Sequence, residues 1–288
     1  MFGKSIRCKS LAALAAALLL VILSFTKAGA WSGAETVGAI GSAAFSNKDL
    51  GSLTDDSGLG AVAADAAAYA CGTELAILCG GDFAGNLAPG VLTWEQLCFA
   101  FTEDRPLAVC SVTAEQLKSL MEFCLSHMTV DTRTLSIDRA ASAFGAFPQI
   151  SGFRVKYDVS APVGERVLQI VLDDKTAPAE GRVYSLVCTE YLLSGGYGPL
   201  ATPIPYEPAG RTVCEALAEF IAAGRMENAD YTESDRVQGI GSVDSSLVNQ
   251  FGVGRVLLAV CLLIVLLIGL KYQIKNTKMD DQGELFVP

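Results

Sequence analysis

The sequence predicts a mixed α/β domain held outside a membrane by a single C-terminal helix. Three observations lead there. Helically spaced segments and period-two segments are interleaved between residues 31 and 225. Charge-free apolar runs lie near both ends of the 288-residue chain. The part between them is strongly acidic: residues 31–252 carry 13 Lys and Arg against 28 Asp and Glu, a net of −15, on a chain whose total is −10. Length alone allows one large domain or two small ones. The interleaved part, about 190 residues, is one core's worth.

The N-terminus has the form of an export signal. Lys4, Arg7 and Lys9 form a basic region, Leu11 to Phe25 is apolar, and Ala28-Gly29-Ala30 makes a small-x-small cleavage site before Trp31. An uncleaved anchor is the alternative. Cysteine is absent from the cleavage point, which disfavours a lipoprotein. At the other end, Val256 to Leu270 holds no charge, and with Phe251–Gly254 it makes a span at 251–270 whose Arg255 sits near the edge, where a long side chain snorkels. Lys271, Lys275 and Lys278 follow, the positive-inside pattern. The expected order is a signal at 1–30, an extracellular domain at 31–225, a stalk at 226–250, the span, and a cytoplasmic tail at 271–288. This places the chain at the cell membrane as a single-pass protein with its N-terminal domain outside.

Within the domain, Thr36 to Ala44 is strand-like, and GLGAVAADAAAYA (58–70) is a small-residue helix opened by the Asp55-Asp56-Ser57 cap. ELAILC (74–79) is a short buried strand. TWEQLCFAF (93–101) begins with Thr93 and has Gln96 three on, a capping-box pattern at a helix start, and Leu107 to Val112 is a strand. Thr113 then caps AEQLKSLMEFCLSH, with Leu117, Leu120, Met121 and Cys124 on one face. Residues 129–145 form a polar loop. QISGFRVKYD (149–158) and Arg166 to Leu172 alternate and form antiparallel strands, Asp173-Asp174 makes a turn, Val183 to Thr189 is a strand, and Val213 to Ala223 is an amphipathic helix.

Composition excludes several chemistries. The acidic surface repels phosphate backbones, so no nucleic-acid partner is expected. The single histidine, His127, cannot furnish a two-metal phosphoesterase site, and its place at a helix end suits a dipole role. No GxSxG elbow, Walker loop or Rossmann glycine pattern occurs. No catalytic residue, metal or cofactor is expected. Seven cysteines lie between the two apolar runs, an odd number without a CxxC, and most have apolar neighbours, as small buried hydrophobes do.

Five segments in order, GLGAVAADA (58–66), ELAILCGGDFAGNLAPGVLTWEQL (74–97), LAVCSVTAEQLKSLME (107–122), FPQISGFRVKYD (147–158) and VYSLVCTEYLLSGGYG (183–198), resemble the C-terminal domain of the 5′-nucleotidase family. SGFRVKYD and YLLSGGYG are the most specific. The resemblance implies an α+β fold with sheets packed between helices, and a domain that in the family binds the nucleoside part of the substrate while a separate N-terminal metallophosphoesterase domain hydrolyses it. No segment resembling that catalytic domain is seen here.

The resemblance also implies a degenerate ligand site. The family loop of an Asn, paired glycines and an Arg falls on LCGGDFAGN (78–86): aligned backward from Gly90, the Asn position is Cys79, Gly80 and Gly81 remain, and the Arg position is Ala84. The Pro-Phe-x-Asn segment, whose Phe stacks on the base, falls on Thr102-Glu103-Asp104-Arg105, which puts Glu103 at the stacking position. The second stacking aromatic keeps a ring as Tyr191, and the Gly-Gly-Asp that follows becomes Gly195-Gly196-Tyr197. Each lost charged or bidentate contact costs about 1.5–3 kcal/mol, which takes a micromolar site beyond about millimolar. Tyr191 and Tyr197 either pack on the Gly-Gly turn or clasp a base or sugar. Asp82 either supplies a hydrogen-bond acceptor beside them or is a solvated loop acid, the commoner case. The expected function is a membrane-anchored, non-catalytic surface domain with a binding role. The alternative is an accessory subunit of a nucleotide hydrolase whose metallophosphoesterase is a separate chain. The expected partners are the membrane, such a phosphoesterase or another surface protein, and a nucleoside or sugar ligand.

Overall fold

The computed structural model describes residues 31–41, 51–131, 136–226, 231 and 234–240. The signal, span and tail segments lie outside the described residues. Among the described residues no helix is long and apolar enough to cross a membrane.

The strands are β1 (Thr36–Ile40), β2 (Leu75–Cys79), β3 (Gly90–Thr93), β4 (Pro106–Thr113), β5 (Val130–Asp131), β6 (Ser136–Ile137), β7 (Pro148–Ser151), β8 (Phe153–Asp158), β9 (Val167–Leu172), β10 (Val183–Thr189), β11 (Tyr206–Thr212) and β12 (Val237–Ile240). The helices are α1 (Gly51–Thr54), α2 (Gly58–Cys71), α3 (Trp94–Cys98), α4 (Ala114–Cys124), α5 (Arg139–Ser142), α6 (Glu190–Leu193) and α7 (Val213–Ala222). The fold is α+β, as expected. A five-stranded mixed sheet in the order β11-β4-β10-β2-β7 divides the molecule, with β2 parallel to β10 and the other pairs antiparallel.

The central strands are buried on both faces, so their sequences are continuously apolar rather than alternating. In β2, Ala76 and Leu78 join one core with α2, α3 and α7, whereas Leu75, Ile77 and Cys79 join a second core with α4 and the three-stranded sheet β12-β8-β9. The first core uses small residues on α2 so that the helix lies close against the sheet and α7. Val62, Ala63, Ala66 and Ala67 are buried there opposite Leu217 and Ile221. Burial of each larger apolar side chain contributes about 1.5–3 kcal/mol. Ser57 caps α2, and Thr93, Thr113 and Thr212 each form a capping box at the start of α3, α4 and α7.

Several elements differ from the sequence reading. The alternation from Gln149 to Asp158 runs through two strands in different sheets. Gly152, at φ +85°, breaks them apart, and a Cβ there would lie 2.2 Å from the Glu74 carbonyl oxygen. β11 had no sequence expectation. It is an edge strand containing Pro208, with a register irregularity beyond it. The loop at 129–145 holds the short pair β5–β6 and α5. Residues 237–240, which the sequence reading placed in a stalk, form β12 and pair in parallel with β8. Arg236 fixes it by a two-pronged contact with Asp65 of α2 at 2.7 and 2.8 Å and by a further bond to the Ile150 carbonyl. All seven cysteines between 71 and 214 are free thiols, five of them buried.

Candidate functional site

The Gly-Gly segment follows β2 directly. Gly80 to Asp82 forms one 3-10 turn, held by Gly80 N–H on the Phe147 carbonyl and Gly81 N–H on the Gly145 carbonyl, both at 2.7 Å. The turn packs so closely that a Cβ on Gly80 would lie 1.7 Å from the Ser52 carbonyl oxygen. One on Gly81 would meet the Tyr197 hydroxyl at 2.9 Å and the Gly145 backbone at 3.0 Å. The glycines are therefore required by close approach to protein atoms, and the turn is kept for that reason.

Of the two positions that grip the ligand in the resemblance, Cys79 is fully buried in the second core, and Ala84 is exposed on the surface. Glu103 is also exposed, and it approaches only the guanidinium of Arg105, at 3.5 Å.

Asp82 corrects the reading of a solvated loop acid: its relative exposure is 0%. Its Oδ2 accepts the Cys79 N–H at 3.0 Å, and its Oδ1 accepts the Tyr197 hydroxyl at 3.0 Å. The same Oδ1 lies 2.8 Å from Nε of Arg105, an ion pair by distance though not an aligned hydrogen bond. Burial pushes the Asp82 carboxyl up to about 6 against those three stabilising contacts, so it is ionised at neutral pH. Burial, with the Asp82 carboxylate next in effect, raises the Tyr197 phenol and holds it as a donor.

Arg105 is the residue the sequence reading missed. Its Cζ sits 3.6 Å from the centroid of the Tyr191 ring and 5.9 Å from that of Tyr197. The two tyrosine rings meet edge to face, with centroids 4.9 Å apart at 90°. Tyr191 in turn lies on Gly196, where a Cβ would fall 2.4 Å from the ring. Gly195, at φ +88°, turns the chain after α6 so that Tyr197 reaches back to Asp82. The tyrosines therefore do pack on the turn, and the face of Tyr191 is covered by a guanidinium from the chain itself.

The segment carrying Arg105 is tied down on both sides. Thr102 N–H donates to the Asp82 carbonyl at 2.9 Å, Cys214 N–H to Asp104 Oδ1 at 3.0 Å, and Val213 N–H to the Arg105 carbonyl at 3.0 Å. Behind Tyr197, Phe144 packs edge to face at 6.3 Å and stacks on His127 at 3.5 Å, so the one histidine serves an aromatic stack. Two shallow grooves of about 300 and 500 Å³ open elsewhere, along α4 beside Phe123 and Ala201. Among the described residues no three His, Cys, Asp or Glu side chains converge as a metal site.

No curated protein matches the chain in sequence. The solved structure of a 5′-nucleotidase precursor from Thermus thermophilus superposes with a TM-score of 0.61 at 16% identity, covering 81% of this chain and 43% of that one. The NAD nucleotidase of Haemophilus influenzae gives 0.60 at 16%, covering 73% and 39%, and the sulfate thiohydrolase of Thermus thermophilus gives 0.54 at 20%, covering 79% and 38%. The chain thus spans about two-fifths of the length of these proteins, and the likeness is one of fold. The family model for the 5′-nucleotidase C-terminal domain matches residues 38–202, more than half the chain, and the protein belongs to that family.

Proposed function

We propose that this chain is a membrane-anchored, cell-surface form of the 5′-nucleotidase C-terminal domain that acts as a binding or interaction domain and does not hydrolyse nucleotides by itself. One observation carries the reading: Arg105 covers Tyr191 and pairs with the buried Asp82, so the slot assigned by resemblance to a nucleobase is filled from within. The anionic floor and the acidic domain surface both oppose a nucleotide phosphate. Anchoring rests on the apolar run 251–270 and the lysines behind it. The test is phosphate release from AMP, ADP and NAD by the purified chain with added Mn²⁺ or Co²⁺, together with a thermal-shift screen against nucleosides. No release and no shift are expected; metal-dependent release would overturn the reading.

A second reading is an accessory subunit for a separate metallophosphoesterase. It is favoured by Phe99, 74% exposed in the segment that leads from the Gly-Gly turn to Arg105, and by Val91, 66% exposed. Affinity purification from the native membrane that recovers a metallophosphoesterase, and loses it with Phe99→Ser, would select this reading over the first.

A further inference from the structure

We infer that the slot between Asp82, Tyr191 and Tyr197 is a guanidinium site, built for a planar organic cation, with Arg105 as its occupant in cis. The inference rests on the reading above that the slot has lost its nucleoside, and it names the ligand chemistry that replaces it. The floor is a fully buried carboxylate. Its two neutral donors, the Cys79 N–H and the Tyr197 hydroxyl, satisfy hydrogen-bonding capacity but leave the negative charge. A buried carboxylate is completed by a proton or by a cation, and Arg105 supplies the cation here.

The walls select the shape of that cation. The flat face of Tyr191 lies 3.6 Å from Cζ of Arg105, the spacing of a stacked plane, and the edge-to-face Tyr197 closes the side. Gly196 and Gly81 leave no room for either ring to retreat, because a Cβ at either position would lie within 2.9 Å of a tyrosine atom. A tetrahedral ammonium meets the charge requirement and can sit over the ring but cannot lie flat against it, whereas a planar guanidinium does both. A neutral nucleobase stacks but leaves Asp82 unpaired, and a phosphate is repelled by Asp82 and by Glu103 at the rim. The surrounding domain, at −15, draws cations toward the slot.

The test uses the purified full chain, read by thermal unfolding through Trp31 and Trp94 fluorescence, as wild type and as Arg105→Ala. The probes are methylguanidinium and agmatine, with putrescine as a non-planar cation and adenosine as a nucleoside. Wild type is expected to ignore all four. Arg105→Ala is expected to melt lower and to recover about 3–6 °C with methylguanidinium or agmatine at ten times their Kd. The gain should be smaller with putrescine, absent with adenosine, and lost in Arg105→Ala/Asp82→Asn. If Arg105→Ala does not fold, Arg105→Gln, which keeps the stem, takes its place. Equal rescue by putrescine, rescue by adenosine, or no rescue by any probe would overturn the inference. A nucleoside shift in the wild type would instead overturn the closed-slot reading on which it rests, so the two failures are separable.

Discussion

Replacing Asp82 by Asn should change how the stability of this protein depends on pH, in a direction fixed by burial. The folded carboxyl titrates at about 6, against an ordinary value of 3.8, because removal from water outweighs the Cys79, Tyr197 and Arg105 contacts. Between those two values the folded chain holds a proton that the unfolded chain releases, so stability falls as pH rises through the window. The contribution is fully present below 3.8 and gone above about 6. At 1.36 kcal/mol per unit the span is worth about 3 kcal/mol. The Asn variant keeps an acceptor for Tyr197 and has no such titration. Asp55 and Asp56, also raised by burial, are common to both proteins and cancel in the comparison. Urea unfolding followed by circular dichroism at pH 4, 5, 6 and 7 gives the difference in unfolding free energy, wild type minus Asp82→Asn. That difference should be largest near pH 4 and smaller by about 2 kcal/mol at pH 7. A flat difference would mean that Asp82 is not desolvated as its burial implies. A difference growing with pH would mean that the Arg105 charge, not burial, governs the site, and the reasoning would be refuted.

Other outcomes follow from the same contacts. Gly196→Ala puts a methyl 2.4 Å from the Tyr191 ring and should cost about 1–3 kcal/mol, yet close to nothing in a Tyr191→Ala background; a double-mutant cycle by chemical denaturation reads the coupling. Arg236→Ala removes the paired bonds to Asp65, both side chains being 21% exposed, and should cost about 2–4 kcal/mol. Hydrogen exchange should then show Val237–Ile240 losing protection before β8 does. Among the described cysteines, iodoacetamide on the native protein should modify Cys71 and Cys98 alone and slowly, since burial raises both thiols. Peptide mass spectrometry showing early modification of the fully buried Cys79 or Cys188 would contradict the packing.

Local signals were legible wherever a residue's role is decided by its neighbours in sequence. Thr93 and Thr113 announce their helices because the reciprocal bonds with Gln96 and Gln116 close within one turn. β2 is a continuous apolar run because both its faces are covered. Gly152 deceived because alternation continues unbroken across it, and only the backbone conformation separates β7 from β8. β11 was hidden by a proline and a glycine, which an edge strand tolerates and a central strand would not. The site was half legible. The structure brings Gly80, Gly81, Tyr191, Gly195, Gly196 and Tyr197 to one place; Cys79 reaches it through its N–H, Glu103 sits at its rim beside Arg105, and Ala84 is exposed. The pair that decides its chemistry, Asp82 and Arg105, is 23 positions apart, and neither is a residue that the family's motifs specify. The available signal was an acid directly after paired glycines at a strand end, where solvent is excluded, and a lone arginine in an acidic segment.

Arg105 also explains why a slot with an open aromatic face would be inert toward free ligands. Its backbone is held by the Val213 N–H, and its neighbours Thr102 and Asp104 bond to the Gly-Gly turn and the start of α7. The guanidinium is thus delivered by a short, ordered segment, at an effective concentration on the order of millimolar or far higher. A free cation of equal intrinsic affinity must exceed that concentration to displace it. Weakening those tethers should therefore open the slot without altering any of its walls. Asp104→Ala removes the bond to the Cys214 N–H and leaves Asp82, Tyr191 and Tyr197 untouched. In that variant agmatine should begin to stabilise the protein at concentrations where the wild type shows nothing. If it has no effect while Arg105→Ala responds, the tether through Asp104 contributes little, and the stacking and ion pair of Arg105 alone hold the slot closed.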